Sequence, residues 1–243
     1  MRVGWIHDKR KFGGAYITNQ IWLKHKPDSV DIIYMYPDDE LIDCDLYIIH
    51  TLNDCDLFTI RQLLDKKYIY CSHECYALGI ERLLVANAHK CIWLSPLHRR
   101  NRPGVCVPPP ISDEFQEHKG EGYLYLGRYT NFKGLDTVAA WAREHNVIVD
   151  CYGYGDYKPF GSHIRDKGAI SYDNVPALLA RYNALVFMPD IQEAFGRVVA
   201  EAKLSGCELI CNAKVGALSY EWQDWRKELS QSCALFWSAV MEG

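Results

Sequence analysis

Apolar and polar positions along this chain fall into short apolar runs separated by stretches of helical periodicity, a rhythm that predicts βαβ units and parallel sheets. RVGWIH predicts a strand, AYITNQIWLKH a helix, and VDIIYMY and DLYIIH two further strands. DLFTIRQLLDK then reads as helix, KYIYCS as strand, ALGIERLLVANA as helix and KCIWLS as strand. The strand segments are continuous apolar runs, as sheets covered on both faces require. Between 102 and 122 prolines and glycines break the rhythm, Pro108, Pro109 and Pro110 among them, and such residues punctuate rather than continue an element. A second series follows, with YLYLG, VIVDCYG, GAIS, ALVFMP and ELICN as strands and LDTVAAWAREH, VPALLARYN and FGRVVAEAKLSG as helices. Tail helices are expected around Tyr220 to Leu229 and Cys233 to Met241. The pattern predicts an α/β protein of two Rossmann-like domains, residues 1–110 and 111–243.

Composition changes this picture little. With 49% hydrophobic and 24% charged residues in 243, the chain reads as an ordinary soluble globular protein rather than a disordered or fibrous one. No apolar run approaches the roughly 20 residues that span a bilayer. The start, MRVGWIHDKRKFGG, lacks the apolar core of a secretory signal. The ten cysteines are therefore expected to be reduced, in a cytoplasmic protein. Net charge is −4, and residues 1–110 hold 14 Lys/Arg against 13 Asp/Glu. That balance argues against a general nucleic-acid binder, which needs a strongly basic face. Two short basic clusters stand out, Lys9-Arg10-Lys11 and Arg99-Arg100 with Arg102. They read first as solvated loop charge, and second as a local patch for an anionic acceptor or a membrane surface.

The chemistry concentrates in the second half. In GYLYLGRYTNFKGLDT a strand ends at Gly127-Arg128 and Lys133-Gly134 opens the next helix. Ligands of open parallel sheets bind beyond the carboxyl ends of the strands, where a helix amino terminus also favours anions. Arg128 and Lys133 are thus placed to hold a diphosphate, against the plainer reading of solvated loop cations. In MPDIQEAFGRVVAEAKLSG, Glu193 precedes a helix and Glu201 lies within it. An acidic pair so placed can accept hydrogen bonds from sugar and ribose hydroxyls. The plainer reading makes Glu201 a solvated helix former and Glu193 a helix-start residue.

The ordered set Gly127-Arg128, Lys133-Gly134, Gly153-Tyr154-Gly155, VPALLARYNALV, Glu193-Ala-Phe-Gly-Arg-Val-Val-Ala-Glu201-Ala and Gly206 resembles the carboxyl-terminal domain of retaining glycosyltransferase family 4. In the first half, Gly13-Gly14 resembles that family's glycine loop and Tyr70-Cys71-Ser72-His73 its strand-end histidine segment, although the half is short for the family. The resemblance implies the GT-B architecture, two Rossmann-like domains facing across a cleft, with the acceptor side in 1–110 and the nucleotide-sugar side in 111–243. It implies sugar transfer from a UDP- or GDP-sugar to a glycan or other acceptor hydroxyl, with retention of configuration and no metal or other cofactor. It further implies roles for single residues. Arg128 and Lys133 would neutralise the departing diphosphate, with Gly13 and Gly14 offering backbone N–H groups to it, and His73 would stand beside the sugar. Glu193 would hold sugar hydroxyls with the Phe195 and Gly196 amides, Glu201 would grip the ribose, and Gly153 would line the donor. Two positions depart from the pattern: Gln192, where a small hydroxyl residue is more usual nearby, and Arg197, where a small or apolar one is.

Other readings compete. Asp43-Cys44-Asp45 and Asp54-Cys55-Asp56 have the letters of a metal-binding Asp-x-Asp motif, but they precede a strand and open a helix. Cys71, His73 and Cys75 alternate on one strand face, yet no fourth zinc ligand is evident. A non-catalytic sugar-nucleotide-binding module is the non-enzymatic alternative. A transferase acting on a modified nucleic-acid base is another, weakened by the acidity of the chain.

Overall fold

The computed structural model describes residues 1–9, 11, 13–50, 57–75, 79–158 and 161–242. Arg10 of the first basic cluster and Asp54-Cys55-Asp56 lie outside the described residues. The chain divides into two compact units, Met1–Pro110 with Leu229–Gly243, and Ile111–Glu228.

The first unit contains strands β1 (Arg2–Ile6), β2 (Asp31–Met35), β3 (Leu46–Ile49), β4 (Tyr68–Ser72), β5 (Lys90–Trp93) and β6 (Val105–Cys106). Its helices are α1 (Gly14–Lys24), α2 (Leu57–Leu64), α3 (Gly79–Asn87) and the short α4 (Pro96–Arg99). The strands form one sheet in the order β2-β1-β3-β4-β5-β6, with every pairing parallel. β3 and β4 are buried at every position, which is what their unbroken apolar sequence predicts for central strands with both faces covered.

The second unit contains β7 (Tyr123–Leu126), β8 (Val149–Tyr152), β9 (Ile164–Gly168), β10 (Ala184–Phe187) and β11 (Glu208–Cys211). It also holds α5 (Leu135–Glu144), α6 (Val175–Leu179), α7 (Arg197–Leu204) and α8 (Trp225–Ser230). Its sheet runs β11-β10-β7-β8-β9, again all parallel. Each unit therefore reverses its strand order at one place, between β1 and β3 in the first and between β7 and β10 in the second.

The last helix, α9 (Ser232–Met241), belongs to the first unit. This corrects the expected second domain reaching Gly243. The cause lies in side chains: Phe236 stacks on Trp22 with ring centroids 4.1 Å apart, and the Trp237 indole N–H donates to the Trp22 carbonyl at 2.8 Å. The Trp22 indole N–H in turn donates to the Ser232 hydroxyl. Buried aromatic contacts of this kind are worth several kcal/mol together, and they draw the tail to the first sheet.

The strand expected at GAIS lies earlier instead, as β9 at Ile164–Gly168, where the sequence IRDKG is charged and largely exposed. Charge on an edge strand deters pairing with other chains and hides the strand from a hydrophobicity reading. Of the second basic cluster, Arg99 and Arg100 are exposed, whereas Arg102 is engaged within the unit. The Arg102 guanidinium lies 3.6 Å over the Trp93 ring, donates to the His98 carbonyl, and pairs with buried Glu81 at 3.5 Å.

His98 sits in this same network, its Nε2 2.8 Å from the Glu74 carbonyl, and burial lowers its pKa from 6.5 to about 4. The unfolded chain takes up the proton first as pH falls, so stability present above pH 6.5 is lost on the way down to about pH 4. The loss from this residue is expected to be about 3 kcal/mol. Urea unfolding at pH 7 and pH 4.5 checks it. A His98→Gln variant should flatten the difference, and an unchanged slope would refute the assignment.

No helix among the described residues is long and apolar enough to cross a membrane, and the nine described cysteines are free.

Candidate active site

In the second unit the loop after β7 and the loop after β10 emerge side by side at the carboxyl edge of the sheet, where the strand order reverses. Parallel sheets recruit ligands at such switch points, because neighbouring loops leave in opposite directions and open a crevice. The two loops are tied together. The Asp190 N–H donates to the Phe132 carbonyl at 2.9 Å, and the Thr137 hydroxyl donates to the Asp190 carboxylate at 2.9 Å. Gly134 lets them approach: a Cβ there would stand 1.8 Å from the Met188 carbonyl oxygen, and its φ of 78° is left-handed.

Lys133 and Glu193 meet across these loops. The Lys133 ammonium donates to Oε1 of Glu193 at 2.6 Å and to Oε2 at 2.8 Å, with the two side chains 24% and 14% exposed. Glu193 is held from behind by an isolated parallel bridge to Val215, and its N–H donates to the Lys214 carbonyl. The cation is anchored too, since Lys133 directly precedes Gly134, the amino-terminal cap of α5, and the Tyr125 hydroxyl lies 3.4 Å from both the Arg128 and Lys133 carbonyls. Arg128 is exposed on the same loop.

Glu201, expected nearer the ligand side, is only 3% exposed. Its Oε1 accepts from the Tyr172 hydroxyl at 2.9 Å and lies 3.2 Å from the Arg197 guanidinium. Arg197 also donates to the Tyr172 hydroxyl at 2.9 Å, closing a three-residue network. The reason is helical spacing, because Arg197 stands four residues before Glu201 on one face of α7. Burial raises the Glu201 pKa, opposed by the Arg197 charge and the Tyr172 hydrogen bond. Tyr172 was missed by sequence reasoning, and its place in a short 3-10 turn gives no pattern to read.

Phe195 and Gly196 lie at the start of α7, where Gly196 is the amino-terminal cap and the Phe195 ring is buried. The first-turn N–H groups of that helix have no intrahelical partner, so an anion there is favoured. Gly153 follows β8, packed so closely that a Cβ would meet the Gly127 carbonyl at 1.9 Å and the Tyr129 ring at 2.5 Å.

The first unit carries its predicted residues at the carboxyl edge of its own sheet. Gly13 caps α1 and Gly14 is its first residue. His73 follows β4, and beside it stands His50, which follows β3 and was not foreseen; the signal was present, because DLYIIH ends in histidine as the β4 segment nearly does. Of the alternating Cys71, His73 and Cys75, the first two group with His50 among the described residues, with ligand atoms within 4.8 Å of one another.

No protein-family model matches the sequence, and a search of curated proteins finds no match either. Solved structures do match. HepE of Anabaena, described in complex with UDP and glucose, superposes with a TM-score of 0.68 at 12% identity, covering 100% of this chain and 90% of that one. A glycosyltransferase from Rickettsia africae gives 0.65 at 13% identity over 98% and 88% of the two chains. WaaG, a glycosyltransferase of lipopolysaccharide biosynthesis, gives 0.53 at 11% identity over 100% and 90%. With two parallel α/β units, each built around a reversal of strand order, this chain has the GT-B fold.

Proposed function

We propose that the protein is a retaining glycosyltransferase that moves a sugar from a nucleotide-sugar donor to an acceptor hydroxyl without a resident metal ion. The observation that carries this is the Lys133–Glu193 pair at the switch point of the second sheet, a cation and a carboxylate presented together on anchored loops. Lys133 and exposed Arg128 offer fixed positive charge to the diphosphate, which is what a metal would otherwise bring. Glu193 accepts from hydroxyls of the transferred sugar, and the amides of Phe195 and Gly196 donate to it. Glu201, braced by Arg197 and Tyr172, receives the ribose on its second oxygen. Gly13, Gly14 and His73 of the first unit are assigned the phosphate and the sugar by resemblance to family 4.

In the reaction the anomeric C–O bond to the diphosphate breaks and its electron pair stays on the phosphate oxygen. The acceptor oxygen forms the new bond to the same face of the anomeric carbon, and its proton passes to the departing phosphate. Stabilising the charge that develops on that oxygen is the largest lever such a site has. The UDP and glucose named with Anabaena HepE support testing UDP-sugars first.

Binding of a donor stabilises the native state in proportion to the logarithm of its excess over Kd. A thermal-shift and calorimetric panel of UDP-, GDP- and ADP-sugars is expected to give one nucleotide family that binds. Arg128→Ala should weaken it by about 1 to 2 kcal/mol without altering the melting temperature of the free protein. Donor hydrolysis with and without acceptors then separates an enzyme from a binding module: tight binding with no sugar release under any acceptor would favour the module. Failure of all three nucleotide families to bind would overturn the assignment.

A further inference from the structure

His50 is 3% exposed and closely surrounded by aromatic rings. Its ring centroid lies 4.2 Å from Trp5, 6.1 Å from Trp22 and 6.2 Å from Phe236, with interplanar angles of 33°, 36° and 28°. The three rings are thus tilted only modestly from the His50 plane, so none turns its face squarely toward the imidazole's edge. An in-plane N–H on Nε2 would meet no π face of these three rings, and Nε2 has no hydrogen-bond partner among the described residues. On the opposite edge, Nδ1 of His50 lies 3.2 Å from Nε2 of His73. Burial keeps His50 neutral, so it owns a single N–H to place.

The two placements are unequal. A proton on Nε2 would be a buried donor with nothing to receive it, the rarer and costlier kind of orphan. A proton on Nδ1 is used in the bond to His73 and leaves only a lone pair among aromatic rings. Cys71 points the same way, since its Sγ lies 3.9 Å from the same His73 nitrogen and burial keeps it a thiol, a weak donor. Two donors facing Nε2 of His73 make that nitrogen an acceptor.

We propose that His50 is the positioning residue of His73: its Nδ1–H meets Nε2 of His73 and so fixes the ring and its tautomer, with the His73 proton on Nδ1. The place of His73 beside the sugar rests on the function proposed above, whereas the pairing stands on the geometry of the first unit alone. A ring whose tautomer is set by a buried partner meets its ligand already oriented, and removal of such a partner commonly costs tenfold or more.

The test is long-range 1H–15N NMR of the histidine rings in the donor-free, 15N-labelled full chain, with His73→Gln used to assign the His73 signals. His73 is expected to show the Nδ1–H form in the wild type. His50→Phe, which keeps the aromatic packing, should shift His73 toward the Nε2–H form and lower kcat/KM for the donor about tenfold. His50→Asn returns an N–H near the Nδ1 position and should restore both readouts to within about threefold. An Nε2–H form of His73 in the wild type, or a tautomer unmoved by His50→Phe, would overturn the proposal. So would one equivalent of zinc in the purified protein, since a metal would occupy the lone pair that the N–H of His50 is said to meet. A wild type that binds no sugar nucleotide would defeat the transferase reading while leaving the NMR result to decide the pairing.

Discussion

Replacing Lys133 by alanine is expected to lower kcat/KM for the donor by about 100- to 1000-fold, the range seen when one fixed stabiliser of developing charge is removed. The fold should survive, because the side chain is partly exposed and lies on a loop rather than in the core. The same change strands Glu193, whose side chain is 14% exposed and loses both of its ammonium bonds. Part of the loss is therefore indirect, and a double-mutant cycle separates the shares. If Glu193 acts only as counter-ion to Lys133, Glu193→Gln in the Lys133→Ala background will recover activity. If it holds sugar hydroxyls, as proposed, the double variant will be slower than either single one. A Lys133→Ala enzyme within threefold of wild type would remove the observation on which the function rests.

The places of Lys133 and Glu193 were legible, though not their pairing, because both residues sit where secondary structure changes. A strand ending in Gly127-Arg128 and a helix opening after Gly134 fix where Lys133 must emerge, and the apolar periodicity of α7 fixes the loop that bears Glu193. Central strands were legible for a related reason, since ALVF and LYII are apolar at every position and buried at every position. Edges were not. The exposed β9, reading IRDKG, has no apolar run to announce it, and the two residues of β6 fall among prolines and glycines.

The home of α9 was hidden for a different reason. SCALFWSAVM is apolar on nearly all sides, so periodicity says that the helix will be buried without saying against which sheet. That choice is made by Phe236 and Trp237 finding Trp22, two hundred residues away in the chain. His50 and His73 likewise come together only through the parallel pairing of β3 with β4. Arg197 is the opposite case. Its spacing of four from Glu201 is written in the sequence, and so is its departure from the family 4 pattern.

Joined, they give the second large expectation. Arg197→Ala should destabilise the protein by about 3 to 5 kcal/mol at pH 7, because breaking a buried pair leaves a carboxylate without its countercharge. Glu201 would retain the Tyr172 hydroxyl but lose the guanidinium 3.2 Å away. Burial already raises the Glu201 pKa, and the variant should raise it further. The sign of the pH dependence follows: a raised carboxylate favours the folded state at low pH and loses that advantage as pH rises. The destabilisation should therefore be largest near neutrality and fade as pH falls toward 4.5, where the unfolded carboxyl also protonates. Urea unfolding at pH 7 and pH 5 would measure it, with Glu201→Gln in the Arg197→Ala background expected to recover most of the loss by removing the charge. If Arg197→Ala costs under about 1 kcal/mol at pH 7, the pair contributes no more than an exposed one would, and the bracing of Glu201 by Arg197 fails.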